Sequence, residues 1–169
     1  MTPMVRRRPF KREKQSTNVA YIGLGANLGE RETTIRAALD QLTAGPETAL
    51  LQISELRETD PVGIEDQPRF LNGVAKVTTT LGARELLAEL LAIERRLGRD
   101  RTASAPGGPR PIDLDLLVYG SASVDEPGLQ VPHPRLHERR FVLEPLAEIN
   151  PQLVIPGRGQ VSALLAELE

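Results

Sequence analysis

The chain has 169 residues, of which 40% are hydrophobic and 26% are charged. This predicts one folded domain with a tail rather than two ordinary domains. It contains no cysteine and two histidines, which excludes disulfides, thiolate catalysis and metal sites built from cysteines or several histidines. No apolar run approaches the roughly 20 residues that cross a bilayer. We therefore expect a cytoplasmic protein without a membrane partner.

Basic residues are concentrated at the N-terminus. Residues 1–18 carry six basic side chains and one acidic side chain, whereas the whole chain has a net charge of −2. Since this segment lacks a hydrophobic period, we predict a disordered basic tail over 1–18 and a single acidic domain over 19–169. The composition fits an extension without a role, and it also fits a targeting or nucleic-acid-binding arm.

The domain opens with a strand and a helix. The apolar run at 19–22 predicts a buried strand, and apolar residues at 35, 38, 39 and 42 predict an amphipathic helix over 31–42. Between them lies the segment GLGANLG at 23–29, whose third glycine comes one residue too late for the dinucleotide-binding pattern G-x-G-x-x-G. The segment therefore favours a tight strand-to-helix turn over a phosphate cradle.

Two further strands are predicted in the middle of the chain. Residues 50–59 alternate loosely, residues 60–68 have the Pro, Gly and Asp content of a loop, and residues 70–80 are rich in β-branched side chains. Phe70 and Asn72 share one face of the second strand. A ring and an amide on one face can stack a flat heterocycle and bond its edge, and a core Phe beside a turn Asn is the alternative interpretation.

The second helix completes a recognisable order of elements. Apolar residues at 86, 90, 93 and 97 predict a helix over 83–97 that ends at Gly98. With a strand at 110–119, the order becomes β-α-β-β-α-β, which is the ferredoxin-like α+β arrangement. We expect an antiparallel sheet with both helices packed on one face, and the other face left for a site or further elements.

The strand at 110–119 carries the most informative pattern. Period two places Asp113 and Asp115 on one face and the apolar residues at 112, 114, 116 and 118 on the other. Two neighbouring carboxylates repel each other unless a cation lies between them, and Mg²⁺ takes such oxygens together with substrate phosphates. The nearby Arg99, Arg101 and Arg110 favour a polyphosphate ligand. An exposed strand face without a ligand is the alternative.

A histidine between two prolines follows the last predicted strand. His133 lies between Pro132 and Pro134, and Arg139 and Arg140 come shortly afterwards. The prolines restrict the backbone around the imidazole. His133 is therefore predicted either to donate to a phosphate oxygen or to cap a turn.

Five sequence blocks, taken together, are far more specific than the paired aspartates alone. They read AYIGLGANLG at 20–29, DQPRFLN at 66–72, GPRPIDLD at 108–115, VPHPR at 131–135 and RRFVL at 139–143. In order and near-spacing they resemble the 6-hydroxymethyl-7,8-dihydropterin pyrophosphokinase family, from about residue 19 to the C-terminus. The resemblance implies an enzyme of folate biosynthesis that transfers pyrophosphate from ATP to the pterin hydroxymethyl group and releases AMP.

The resemblance also implies roles for individual residues. Asp113 and Asp115 would hold two Mg²⁺ ions that bridge the ATP phosphates, and Arg99 and Arg110 would engage those phosphates during catalysis. The remaining ATP contacts would come from Glu94, Leu116, His133 and Arg139. The pterin would be bound by Thr59, Val62, Phe70, Asn72 and Phe141. We expect a monomer whose partners are ATP and the pterin, with no nucleic acid.

One loop departs from the family pattern. Pro106 and Gly107 occupy a region that carries a Trp in many members, and Thr102 stands where they have a lysine. Without the Trp and the lysine, the loop around residues 102–107 has fewer side chains that could contact the substrates. We therefore expect the closure of this loop to be coupled less tightly to substrate binding.

Three other classes stay open from the sequence: a non-catalytic binding module of the same fold, an RNA-binding domain of RRM type, and another metal-dependent nucleotide enzyme. The acidic body and the missing strand aromatics disfavour the RRM class.

Overall fold

A computed structural model describes residues 16–61, 64–99 and 110–168. The predicted tail falls almost entirely outside these ranges, as do Val62 and the loop residues Thr102, Pro106 and Gly107. Among the residues described, every helix is too short or too polar to cross a membrane.

An antiparallel sheet forms the centre of the protein. Its strands are β1 (Asn18–Ala26), β2 (Thr48–Ile53), β3 (Arg57–Thr59), β4 (Phe70–Thr79) and β5 (Asp113–Tyr119). The order is β2-β4-β1-β5, and β3 pairs with β4 beyond the end of β2. Because β4 lies between β1 and β2, the arrangement is the split ferredoxin-like one, and the predicted α+β fold is confirmed.

Two helices cover one face of the sheet, as predicted. They are α1 (Arg31–Leu42) and α2 (Ala83–Arg96), whose apolar stripes pack on alternate residues of the central strands. Ile35, Leu86, Leu90 and Ile93 have no exposed surface. Burial of these side chains, at roughly 1.5–3 kcal/mol each, is what holds the helices on the sheet.

Additional elements cover part of the opposite face. A 3₁₀ turn (Leu136–Glu138), α3 (Arg140–Ile149) and α4 (Val161–Glu167) pack a second apolar cluster against that face, and this cluster includes Tyr21, Val74 and Leu117. The short pairs β6 (Val124–Glu126) with β7 (Leu129–Val131), and β8 (Val154–Ile155) with β9 (Gly159–Gln160), connect these parts. The second layer leaves one end of this sheet face uncovered.

The predicted turn at residues 23–29 is wrong for its first half. Strand β1 continues through Gly23 and Gly25 to Ala26, and the chain turns only at 27–30. Gly25 is paired with Asn72 on one side and Asp113 on the other. A Cβ on Gly25 would lie 2.8 Å from Oδ1 of Asn72, so the glycine is required by a crowded neighbour rather than by a turn.

The predicted alternation of β5 is wrong at Val118. The register between β1 and β5 shifts at Tyr21 and Ile22, which leaves Leu117 as an extra residue. Such a bulge reverses the faces beyond it. Val118 therefore packs with Tyr21 in the α3 layer instead of with Leu114 and Leu116 in the other.

Candidate active site

A cavity of about 800 Å³ opens on the uncovered end of the sheet. Its floor is formed by Gly23 and Gly25 of β1, and its walls come from the start of β4, the start of β5 and the chain segment that leads into α3. The small β1 residues keep the floor open because neither carries a side chain. The site is thus positioned by the register of three central strands.

The predicted pterin-binding side chains line one side of this cavity. They are Thr59, Phe70, Asn72 and Phe141, whereas Val62 lies outside the described residues. Thr59 pairs with Phe70 across β3 and β4, and Nδ2 of Asn72 donates to Oγ1 of Thr59. The amide of Asn72 is therefore held in place at the cavity wall, with its Oδ1 towards Gly25.

An arginine guanidinium packs against each of the two aromatic rings, Phe70 and Phe141. The guanidinium carbon of Arg110 lies 5.3 Å from the centroid of the Phe70 ring, and that of Arg139 lies 5.6 Å from the centroid of Phe141. These distances suit cation–π attraction. The rings predicted for the pterin and the arginines predicted for the phosphates are therefore direct neighbours.

The predicted catalytic arginines converge on Asp113. Nη1 of Arg99 lies 2.6 Å from Oδ1 of Asp113 and 2.7 Å from Oε2 of Glu94, and Nη1 of Arg110 lies 3.4 Å from Oδ2 of Asp113. Burial alone would lower the pKa of Arg99, but the charges of Asp113 and Glu94 outweigh it and raise that pKa. Arg99 therefore stays charged in a largely buried setting.

Asp115 is the most perturbed acid of the site. Burial, followed by the charge of Asp113, raises the pKa of Asp115 to about 7, although Arg139 opposes the shift. Both aspartates face the same cavity, as period two predicts. Proximity to Asp113 is thus costly for ionised Asp115, and a bound cation would relieve that cost.

His133 lines both this cavity and a neighbouring one of about 720 Å³. Its Nδ1 accepts a hydrogen bond from the backbone N–H of Arg135 at 3.2 Å, which is the turn-capping contact. Burial, and then the charge of Arg139, lowers the pKa of His133. A neutral ring that accepts at Nδ1 carries its proton at Nε2 and can donate there, so the two predicted roles are compatible.

The other residues predicted to contact ATP do not all line one cavity. Leu116 lines the second cavity, Arg139 lines the first, and Asp115 and His133 border both. Glu94 is 1% exposed, and its Oε2 accepts from the backbone N–H of Leu114 at 2.9 Å. The structure thus brings Glu94 to the buried side of Asp113, where it holds Arg99 and the start of β5.

Asn27 lies next to the site, and the sequence patterns did not reveal its contacts. This asparagine is 2% exposed and bonds the backbone of Arg110 and the loop before Phe70. A signal was present, because a polar residue directly after a buried strand needs specific partners. Which partners it would find depends on the tertiary structure.

A metal ion would need ligands beyond the side chains described. Among residues 16–61, 64–99 and 110–168, no group of three or more His, Asp or Glu side chains is suited to hold an ion. Nε of Arg99 and Nε of Arg110 are buried and bond no described residue. The carboxylate pair suits a hard cation, and the arginine donors suit phosphate oxygens.

Comparisons with known proteins agree on one family. Residues 21–151 match the family model of the 7,8-dihydro-6-hydroxymethylpterin-pyrophosphokinases. A 2-amino-4-hydroxy-6-hydroxymethyldihydropteridine pyrophosphokinase of Pseudomonas aeruginosa is 46% identical over 86% of this chain and 89% of the relative. Its counterpart in Bacillus subtilis is 46% identical over 80% of each chain.

Solved structures support the fold. The chain is similar to a crystal structure of Plasmodium falciparum HPPK-DHPS with pterin and p-hydroxybenzoate, with a TM-score of 0.69 and 15% identity. The similarity covers 90% of this chain and 42% of that one, so this chain spans less than half the length of that relative. At this identity the likeness concerns the fold alone.

Proposed function

Since the chain belongs to the 7,8-dihydro-6-hydroxymethylpterin-pyrophosphokinase family, we propose that it transfers pyrophosphate from ATP to 6-hydroxymethyl-7,8-dihydropterin. The products are AMP and the pterin diphosphate, and the reaction belongs to folate biosynthesis. The observation that carries the proposal is that Phe70 and Asn72 line the same cavity as Asp113 and Asp115. A flat heterocycle and a polyphosphate can therefore be bound side by side.

The pterin is proposed to lie between the rings of Phe70 and Phe141. Both rings line the cavity, and two rings give a heterocycle large contact areas on both faces. Asn72 and Thr59, joined by a hydrogen bond, offer polar atoms to its edge, and the backbone at Val62 is proposed as a further contact. The pterin hydroxymethyl group would then point towards the aspartates.

The nucleotide is proposed to extend from the first cavity into the second. Arg99, Arg110 and Arg139 supply guanidinium donors for the phosphates, while Leu116 and His133 line the adjoining space for the nucleoside side. Glu94 contributes by holding Arg99, at 2.7 Å from its Nη1. This placement leaves the β-phosphorus near the boundary between the two cavities.

Asp113 and Asp115 are proposed to hold two Mg²⁺ ions with the ATP phosphates. The fit rests on two carboxylates that share one strand face, where burial, and then the charge of Asp113, raises the cost of ionising Asp115. Such ions, when bound, neutralise phosphate charge and orient the leaving group. Substrate oxygens and water would complete the coordination around the two carboxylates.

The chemical step is an in-line displacement. The pterin hydroxymethyl oxygen forms a bond to the β-phosphorus, the bond from that phosphorus to the α–β bridging oxygen breaks, and AMP leaves with the electron pair. The hydroxyl proton passes to solvent or to a phosphate oxygen. As in other phosphoryl transfers, positioning and charge stabilisation by Arg99 and Arg110 supply the rate.

One experiment tests the proposal directly. The protein is incubated with ATP, MgCl₂ and 6-hydroxymethyl-7,8-dihydropterin, and the products are read by mass spectrometry. AMP with the pterin diphosphate is the expected result. ADP with a pterin monophosphate, or no turnover, would contradict it.

We also propose that the enzyme acts as a monomer in the cytoplasm, without a nucleic-acid or membrane partner. Sedimentation velocity with and without substrates checks the monomer, and cell fractionation checks the location. A dimer at micromolar concentration or a membrane-bound fraction would contradict this part.

A further inference from the structure

A buried asparagine connects two segments of the candidate site. The backbone N–H of Asn27 donates to the carbonyl oxygen of Arg110 at 3.2 Å, and its Oδ1 accepts from the backbone N–H of Arg110 at 2.9 Å. Its Nδ2 donates to Oε1 of Gln67 at 2.9 Å and to the carbonyl oxygen of Pro68 at 3.0 Å. One side chain therefore ties the end of β1 to two different segments.

The orientation of this amide is determined by its partners. A backbone N–H can only donate and a carbonyl oxygen can only accept, so Oδ1 of Asn27 must face Arg110 and Nδ2 must face Pro68. Because Asn27 is 2% exposed, water is a poor substitute for either partner. Loss of one of these bonds would leave a buried polar group unsatisfied.

Both segments lie outside the strands and lead directly into site residues. Arg110 precedes β5, and its guanidinium lies over the Phe70 ring and 3.4 Å from Oδ2 of Asp113. Gln67 and Pro68 belong to the loop that leads into Phe70. The bonds of Asn27 therefore set the relative position of the phosphate side and the pterin side.

We propose that Asn27 is a positioning residue for pyrophosphate transfer, with a separate task for each end of its amide. Through Oδ1 it fixes Arg110 at the phosphate side, and through Nδ2 it fixes the loop before Phe70 at the pterin side. The inference rests on the proposed function, because the two substrates named there provide its readouts. Asn27 itself is not assigned a contact with either substrate.

Two substitutions separate the two tasks. Asn27→Asp keeps an oxygen for the Arg110 N–H and, in its ionised form, has no donor for the loop. In assays at alkaline pH we therefore expect the KM for the pterin to rise about tenfold while kcat stays within about threefold. Asn27→Ala removes both the acceptor for the Arg110 N–H and the donor to the loop. We therefore expect the KM for the pterin to rise and kcat to fall by about 10- to 100-fold. Gln67→Met removes one of the two loop acceptors of Nδ2, and also the bond from Nε2 of Gln67 to the carbonyl oxygen of Ile64. It should therefore raise the pterin KM less than Asn27→Asp does and leave kcat near the parent value.

A double-mutant cycle tests whether Asn27 acts through Arg110. If it does, Asn27→Ala should change kcat by less than about twofold in an Arg110→Ala background, because the group it positions is already absent. Independent, multiplying effects would overturn the inference. Asn150→Asp is the matched control, because Nδ2 of Asn150 donates only one described bond, to Oη of Tyr21 at 3.3 Å, away from the cavity.

A structural readout keeps the inference separate from the proposed function. Hydrogen exchange at the Arg110 amide should become faster in Asn27→Ala and stay near the parent rate in Asn150→Asp. If neither the parent nor Asn150→Asp makes the pterin diphosphate, the proposed function fails, and the exchange data still decide whether Asn27 holds Arg110. If Asn27→Ala does not fold, an unchanged pterin KM in both Asn27→Asp and Gln67→Met overturns the inference.

Discussion

Arg99 and Asp113 form a largely buried ion pair in which Nη1 lies 2.6 Å from Oδ1. The same Nη1 lies 2.7 Å from Oε2 of Glu94, whose side chain is 2% exposed. One guanidinium thus neutralises a carboxylate of the candidate metal pair and a buried carboxylate of α2. Removal of that charge would take one close cation from each acid, while Asp113 keeps Arg110 at 3.4 Å.

We therefore expect Arg99→Met to lower the free energy of unfolding by about 3 kcal/mol, because two carboxylates in a largely buried setting each lose a close cation. Urea denaturation of metal-free protein measures the change. Arg36→Met is the matched control, since its pair with Glu32 is exposed on α1 and should contribute less than about 1 kcal/mol. Equal effects of the two substitutions would contradict the prediction.

The raised pKa of Asp115 predicts a pH-dependent stability. Its folded-state pKa of about 7 exceeds the ordinary value of 3.8, so the folded state binds the proton more tightly. This contribution favours folding at low pH and is lost as the pH rises through 7.

Asp115→Asn cannot ionise and should therefore be more stable than the parent at pH 8, by about 1–3 kcal/mol, and nearly equal at pH 4. Urea titrations in EDTA at both pH values provide the measurement. Asp40→Asn, at an exposed position of α1, serves as the control. A constant difference between Asp115→Asn and the parent across this range would rule out the raised pKa.

Asp115→Ala should abolish turnover while the protein remains folded. Without this carboxylate the proposed Mg²⁺ ions lose one of two protein ligands, so we expect kcat to fall by at least about 10³-fold. The measurement is AMP release at saturating ATP and MgCl₂, with circular dichroism to confirm folding. Retained activity would contradict the proposed role of Asp115 as a Mg²⁺ ligand.

Phe70→Leu should weaken the pterin far more than the nucleotide. The substitution keeps an apolar side chain but removes the flat ring on which the heterocycle is proposed to stack. We expect the KM for the pterin to rise roughly tenfold and the KM for ATP to change less than about threefold. Steady-state kinetics in both substrates measure this, and a matching rise in both KM values would argue against the pterin slot.

Gly25→Ala should weaken pterin binding more than Gly23→Ala does, although both glycines form the cavity floor. A Cβ at Gly25 would lie 2.8 Å from Oδ1 of Asn72, and a Cβ at Gly23 would lie 3.4 Å from Cδ2 of Leu117. Displacing the Asn72 amide should raise the KM for the pterin about tenfold, in proportion to one lost hydrogen bond. Steady-state kinetics at varied pterin concentration give the KM of each variant. Similar KM values for Gly25→Ala and Gly23→Ala would contradict the prediction.

The site was predictable where a single element determines it. Period two in β5 puts Asp113 and Asp115 on one face, and the same rule joins Phe70 and Asn72 on β4. The predicted role of Glu94 rested on the resemblance alone, whereas its carboxylate is held by Leu114 and Arg99. A side chain on a helix cannot be oriented from spacing when its partners belong to other elements.

By itself, the sequence determined the order of elements, their local periodicity and hence the ferredoxin-like class, because these depend on neighbours within a few residues. The composition also excluded disulfides and cysteine metal centres, since the chain contains no cysteine. Only the tertiary structure decided the register that places Gly25 between Asn72 and Asp113, the bulge at Leu117 and the partners of Asn27. These features depend on contacts between residues distant in the chain, where close packing and the need to satisfy buried polar groups select one arrangement.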